Sequence, residues 1–413
     1  MAQGPVGVPP SGVFRSRSPA VAGSSSHRAT RRQPMTTAAI ERSPTLPSAA
    51  PSAAASLPKP DAKGVGVRAL KPGVTVMIPA WNEEASIADT VRSVLAQTIK
   101  PDAIIVVDDC STDNTGAVAA SVDASVKVVR PPANRGSKAS ALNFGLNLID
   151  TELVLAIDAD TTLAPDALEK LLPAMDSPKV AAASGFVLPR HVKTVWERGR
   201  HVEYLYAFGF YKPIQDYYRK PLIASGCFTI HRTAELLELG GWSQRTVGED
   251  MDLTWTLYER GHTVRHVPGA ICYPIEPHSF SFLSKQLKRW SHGFWQCLRV
   301  HRKSVLNIPY LRMMVAAALW DSTLAVLTLF VMIPLMAAFV HPLFLVLYIA
   351  DLPAVIVPVV LEGSKRGQGG IWRGLSSIPA FYVLRYVNYY FMLKAFVDEF
   401  VTNKPLKTFV KGH

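Results

Sequence analysis

Cysteine is scarce in this chain of 413 residues: four in all, at positions 110, 227, 272 and 297, none in a CxxC pair. A disulfide framework and a structural zinc site are therefore not expected, and a reducing, cytosol-facing compartment is the simplest setting. Charge is sparse too. Asp, Glu, Lys and Arg make up 18% of the residues against 48% apolar, less charge than a soluble basic protein usually carries. Acid is the scarcer sign, with 32 Asp and Glu against 44 Lys and Arg and a formal net charge of +12. The apolar content excludes a wholly disordered chain, and the 26 glycines exclude a collagen-like one. No GxGxxG follows the first expected strand and no GxxxxGK precedes a Ser or Thr. That argues against a dinucleotide oxidoreductase and a P-loop NTPase.

Residues 1–68 lack any sustained apolar run and contain ten prolines, so they read as disordered. Their basic residues, from Arg15 to Arg68, are opposed only by Glu41 and Asp61. No apolar core follows the basic residues, so this is not a secretory signal. Contact with anionic lipid is one reading. An extension without function is the simpler one, and Met35 offers an alternative start. No aromatic residue falls among these charges, so nucleic acid is not expected as a partner.

What is present from residue 69 onward is a soluble-looking α/β region. VTVMIPA (74–80), AIIVVDD (103–109) and ELVLAIDAD (152–160) are continuous apolar runs, with helical spacing between them at Ile87, Val91, Val94 and Leu95. Such strands alternating with helices predict a mainly parallel sheet covered on both faces. Ligands then bind beyond the carboxyl ends of the strands. Three of those ends are acidic: Pro79-Ala80-Trp81-Asn82-Glu83-Glu84, Asp108-Asp109-Cys110-Ser111-Thr112-Asp113 and Asp158-Ala159-Asp160. A lone acid after a strand is commonly a helix cap, and Asp113 is read that way. Carboxylates gathered on one rim need a cation, and an oxygen-rich site suits Mg²⁺ or Mn²⁺ bridging a diphosphate. The loop Asn134-Arg135-Gly136-Ser137-Lys138 precedes a helix and has the makings of a phosphate contact. Further on, Ser225–Ile230 is expected to be a strand, and Gly248-Glu249-Asp250 opens a helix. Asp252 is read as a helix-dipole partner.

PAWNEE, VVDDCSTD, the Asn134–Lys138 loop, DAD (158–160), SGC (225–227), GED (248–250) and Gln286-Leu287-Lys288-Arg289-Trp290 resemble, in this order, the motifs of family 2 glycosyltransferases. The QxxRW element and the apolar C-terminal segments look like the processive membrane-bound branch, which includes cellulose, chitin, hyaluronan and poly-N-acetylglucosamine synthases. The resemblance covers about residues 72–300. It implies a GT-A-like nucleotide-sugar-binding domain over 69–278, followed by interfacial and transmembrane helices. It implies an inverting transfer from a UDP-sugar, UDP-N-acetylglucosamine or UDP-glucose, to a growing glycan. It places Pro79, Ala80, Asn82, Glu83, Asp108 and Asp109 around the nucleotide, Lys138 near its phosphates, and Asp158 and Asp160 on ribose, diphosphate and metal. Asp250 becomes the general base, with Glu249 supporting it. Arg289 stabilises departing UDP, Trp290 stacks on the acceptor sugar, and Gly226, Cys227 and Gln286 lie near that acceptor. The residue before Glu249 is Gly248 where the family usually has Thr.

The 279–303 stretch also reads physically as a basic amphipathic helix on a membrane surface, with Gln286, Arg289, Trp290 and Gly293 on an adjoining face. Met313–Val340 and Leu343–Leu361 are long enough to span a bilayer, within a membrane region of two to three helices over 304–402 and a tail over 403–413. Asp321 and Asp351 should face protein there. Residues 371–397, interrupted by Arg385 and Lys394, either span or lie at the interface. Lys365, Arg366 and Arg373 favour the cytosolic side, so the expectation is an integral plasma-membrane protein with a cytosolic catalytic domain. No apolar segment precedes the domain, so a complete polymer channel in one subunit is not expected; a homo-oligomer or an export partner is compatible with this. Two alternatives stand beside polymer synthesis. One is transfer of a single sugar to a lipid carrier. The other is a non-catalytic nucleotide-sugar-binding or lipid-binding membrane protein.

Overall fold

The computed structural model describes residues 69–320, 324–365 and 370–406. The expectations placed on residues 1–68, Asp321, Arg366 and residues 407–413 lie outside the described residues.

β1 (Lys71–Ala80) shows how an apolar run becomes a central strand. Its alternate residues serve two cores. Val74, Val76 and Ile78 join Ile87, Val91 and Val94 of helix α1 (Ile87–Leu95). Met77 joins Ile105 and Val107 of β2 (Ala103–Asp108). After α2 (Thr115–Val122) and β3 (Val126–Val129), helix α3 (Lys138–Leu146) adds Leu142 and Leu146 to the second core. With both faces covered, no polar alternation is needed.

The remaining strands are β4 (Thr151–Ile157), β5 (Thr161–Leu163), β6 (Val180–Val187), β7 (Phe228–Arg232) and β8 (Thr263–Pro274). All belong to one sheet, ordered β3-β2-β1-β4-β7-β6-β8-β5. Pairing is parallel from β3 through β4 and between β6 and β8, and antiparallel where β7 meets β4 and β6 and where β5 meets β8. The sheet is thus mainly parallel, as expected. The reversal at β7 has a functional result. Ile157 at the carboxyl end of β4 faces Phe228 at the amino end of β7, so the residues beyond both share one rim.

Helical segments follow the sheet. Phe280–Val300 starts at Ser279, whose hydroxyl accepts the Phe282 N–H at 3.3 Å. Pro309–Leu319 and Ala325–Phe339 are shorter apolar helices, while Pro342–Lys365 alone among the described residues is long and apolar enough to cross a membrane, with mean hydropathy 2.4. The first expected span, Met313–Val340, includes residues 321–323, which lie outside the described residues. In its second part the helix widens over Thr328–Met332, just before Ile333 and Pro334, whose ring removes a backbone donor. Gly370–Phe396 is one continuous helix, tied to the helix Val195–Tyr206 where Asn388 Nδ2 donates to Glu203 Oε1 at 3.1 Å. Asp351 accepts the Tyr382 hydroxyl at 2.8 Å and pairs with Arg385, so these two charges serve each other.

One segment reverses the usual order of burial. In the turn Ala207–Tyr211 and the helix Lys212–Tyr217, Lys212 and Gln215 point inward and are buried, while Phe210, Tyr211, Ile214, Tyr217 and Tyr218 are exposed, Tyr217 by 84%. Gln215 Oε1 accepts Leu222 N–H at 2.9 Å, and Lys212 Nζ lies 4.3 Å from the Phe208 ring centre. Gly209 in this turn abuts the Glu362 side chain near the end of Pro342–Lys365.

Candidate active site

The loops beyond β1 and β2 brace one another. Asn82, in the left-handed region at φ 55°, accepts the Thr112 N–H at 2.8 Å, and Glu83 N–H donates to Thr115 Oγ1 at 2.7 Å. Ala80, one residue after Pro79, accepts Asp109 N–H at 2.8 Å. Asp108 is buried and uses both oxygens internally, accepting Ser111 N–H and Arg130 Nη1, each at 2.9 Å. Asp109 accepts Arg135 N–H at 2.8 Å, and burial raises its carboxyl above the usual range. The two neighbouring acids thus differ: Asp108 is committed to the fold of its own loop, whereas Asp109 ties β2 to the Asn134–Lys138 loop. Asp113 accepts the Thr115 N–H at 3.0 Å at the start of α2, in keeping with a cap.

The centre of the site is the backbone of a single residue, Gly226. Its N–H donates to Asp250 Oδ2 and its carbonyl accepts Lys138 Nζ, both at 2.9 Å. A side chain there would meet Asp250, since a Cβ would lie 2.9 Å from Oδ2. This turn explains why β7 begins at Phe228 rather than at Ser225. Gly226 directs both its backbone groups to side chains, and the Ser225 carbonyl accepts the Phe228 N–H at 3.1 Å in a turn, so this stretch lies outside the sheet ladder. The other Asp250 oxygen accepts Met251 N–H at 2.8 Å.

Lys138, at the start of α3, also pairs with Asp158 and lies 3.9 Å from Glu249 Oε1. Burial opposes its charge, but Asp158, Glu249 and Asp250 more than compensate and raise its pKa. Burial raises the Glu249 carboxyl, and Asp250 adds to that, against the lowering by Lys138 and Arg289. A small pocket between these groups is lined by Lys138, Gly226, Glu249, Asp250, His231 and Trp242. Burial lowers the His231 imidazole to about 3, so it is a neutral wall.

Asp158 N–H donates to the Cys227 carbonyl at 3.3 Å, a direct product of the β4–β7 reversal. Asp160 accepts Thr161 Oγ1 at 3.0 Å, and its carbonyl accepts Arg190 Nη2 at 2.8 Å. Among the described residues no three His, Cys, Asp or Glu side chains form a ready metal cage. Two carboxylates in one short turn fit a different arrangement, in which Mg²⁺ or Mn²⁺ is held by one or two protein oxygens together with substrate phosphates and water.

The helix Phe280–Val300 closes the site from the other side. At Gly293 its backbone touches the turn before the acids: a Cβ on Gly248 would lie 3.3 Å from Gly293 Cα. Small residues on both chains permit this approach. Gln286 accepts Arg200 Nη2 at 2.9 Å, Arg289 acts on Glu249 through its charge, and Trp290 is 42% exposed. Gln296 bridges Val247 N–H, at 3.0 Å, to Glu399 Oε1, at 2.7 Å. Sequence reasoning missed Arg190, Arg200 and Gln296. The unused signal was the run Glu197, Arg198, Arg200 and Glu203 inside an aromatic helix, where so many charges need partners.

This geometry agrees with a family profile described as "Glycosyltransferase like family 2", which matches residues 72–293, more than half of the chain. The chain belongs to that family. Its glycosyltransferase domain is 30% identical over 224 residues to a poly-beta-1,6-N-acetyl-D-glucosamine synthase of Staphylococcus aureus strain COL, covering 54% of each chain. It is 27% identical over 249 residues to the synthase of that name from Staphylococcus epidermidis, covering 58% of this chain and 60% of that one. The chain thus spans little more than half the length of these curated relatives. Among solved structures, a mannosyltransferase of Pyrobaculum calidifontis in complex with GDP-Man and Mn²⁺ is similar with a TM-score of 0.53 and 19% identity, over 80% of this chain and 88% of that one. The likeness is one of fold, and the fold is GT-A-like.

Proposed function

We propose that this glycosyltransferase is an integral membrane enzyme that moves a sugar from a UDP-sugar, UDP-N-acetylglucosamine before UDP-glucose, onto a growing polysaccharide with inversion. The observation that carries the reading is the cluster in which Lys138 meets Asp158, Glu249 and the Gly226 carbonyl while the Gly226 N–H meets Asp250, with the Gln286–Trp290 helix alongside. Asp250 takes the proton of an acceptor hydroxyl as that oxygen bonds to the anomeric carbon. The bond from that carbon to the diphosphate breaks, and UDP leaves with the electron pair. Lys138 and Arg289 offset the charge that gathers on the departing diphosphate. Asp158 and Asp160 would hold Mg²⁺ or Mn²⁺, which when bound neutralises diphosphate charge. Burial, with the neighbouring Asp250, disfavours a negative charge on Glu249, in keeping with a supporting role beside the proposed base.

Bilayer attachment is supported by Pro342–Lys365 and by the outward aromatic face of 207–218 beside its end. Aromatic residues of that kind suit the membrane–water boundary. The test of the function is a panel of UDP-sugars offered to membranes carrying the full chain, with product sizing. Long products from one donor support polymer synthesis. A single sugar on lipid supports the alternative transfer, and no UDP release from any donor sinks the enzyme reading.

One further outcome is expected here. Mn²⁺ alone should bind weakly by calorimetry and about tenfold more tightly once UDP is present, because the nucleotide completes the ligand set. Equal affinity with and without UDP would contradict that.

A further inference from the structure

We propose that Arg200 is the positioning residue of the acceptor platform, holding the Trp290 indole from its inner side so that the outer side is presented in one orientation to an acceptor sugar. This rests on the reading of Trp290 as the acceptor's stacking surface, and it adds a residue outside every motif of the domain.

Arg200 lies in Val195–Tyr206 and is 1% exposed. Its guanidinium carbon sits 4.6 Å from the centre of the Trp290 ring, over one face. The indole itself is 42% exposed, so its accessible surface lies away from the arginine. Every edge of the guanidinium is directed to a different element. Nη2 donates to Gln286 Oε1 at 2.9 Å, Nη1 to Glu203 Oε2 at 2.5 Å, and Nε lies 3.7 Å from Glu276 Oε2. Those partners are themselves fixed. Glu276 Oε1 accepts the Tyr204 hydroxyl at 2.7 Å, and Glu203 Oε1 accepts Asn388 Nδ2 at 3.1 Å.

The chemistry explains the choice of arginine. A planar, permanently charged fork can lie flat on an indole while donating in its own plane, and a lysine ammonium can do neither. Burial opposes the charge, but Glu203, Tyr204 and Glu276 overcome it and raise the pKa further, so the cation is present at every working pH. The glutamine and tryptophan of the same helix, Gln286 and Trp290, thus share one arginine as their backstop. Gln286 is thereby committed to Arg200 through its oxygen rather than directed to the acceptor.

The experiment compares full-length wild type, Arg200→Lys and Trp290→Ala in detergent, with UDP-N-acetylglucosamine as donor and N-acetylglucosamine oligosaccharides as acceptor. Arg200→Lys should raise the acceptor KM about tenfold while the donor KM stays within about twofold. A purely structural arginine would leave acceptor KM unchanged or raise both constants together, and either result overturns the proposal. If Trp290→Ala keeps normal acceptor use, the acceptor reading of Trp290 is what fails. If Trp290→Ala loses acceptor use and Arg200→Lys does not, the positioning role fails alone. A second measurement needs no Arg200 variant. In wild type labelled with 5-fluorotryptophan, the Trp290 signal, identified by its loss in Trp290→Phe, should be a single narrow fluorine resonance. Two exchanging ring orientations would overturn the proposal whether or not Arg200→Lys folds.

Discussion

Asp250→Asn is expected to lower sugar transfer by about 10²-fold or more while UDP and metal binding stay near wild type. The asparagine keeps the size of the side chain but cannot take a proton from the acceptor hydroxyl at neutral pH. Its structural cost is small. Asp250 accepts two backbone hydrogen bonds, from Gly226 and Met251, and an amide can replace only one of those acceptors, a loss of about 1 kcal/mol. Calorimetric UDP binding beside radiolabelled transfer, on protein checked by thermal unfolding, separates the outcomes. Transfer near the wild-type rate would remove Asp250 as the base. Lost UDP affinity with the fold intact would move it into the donor site.

The second large effect is expected at Lys138. Lys138→Met should destabilise the protein by about 3 kcal/mol, because it strands two carboxylates that now share one ammonium. Asp158 and Glu249 would face each other across the pocket, and the Gly226 carbonyl would lose its donor. Part of that loss should return in the double variant Lys138→Met, Glu249→Gln, which removes one of the stranded charges. Denaturant unfolding of the purified chain measures both. An unchanged midpoint in Lys138→Met would mean that the three charges are not coupled.

Periodicity made part of this site readable and hid the rest. The runs 74–80, 103–109 and 152–160 announce strands because both faces are buried, and their acidic ends follow from chain direction. Helix spacing put Gln286, Arg289, Trp290 and Gly293 on one face. The antiparallel entry of β7 could not be read that way, because pairing across Leu153–Arg232 is set by chain returning from far along the sequence. Nor could Arg200, whose meaning depends on Gln286 and Asn388 arriving from separate helices. The 207–218 segment misleads in a third way. Phe210, Tyr211, Tyr217 and Tyr218 have the composition of core, yet they are exposed while Phe208, Lys212 and Gln215 fill the interior. Composition likewise does not register the backbone widening over Thr328–Met332.

Gly226 carries a consequence for how this enzyme can change. Its nitrogen answers to the proposed base, and its oxygen to the cation proposed for the side of the departing nucleotide. These groups sit on two adjoining peptide planes that meet at the Gly226 Cα, so the two halves of the site are coupled through the torsions of one residue. A substitution that re-aims either partner shifts those torsions and disturbs the other. Altered sugar preference is then expected to arise from walls such as His231 or Trp242, while Lys138, Gly226 and Asp250 change together or not at all.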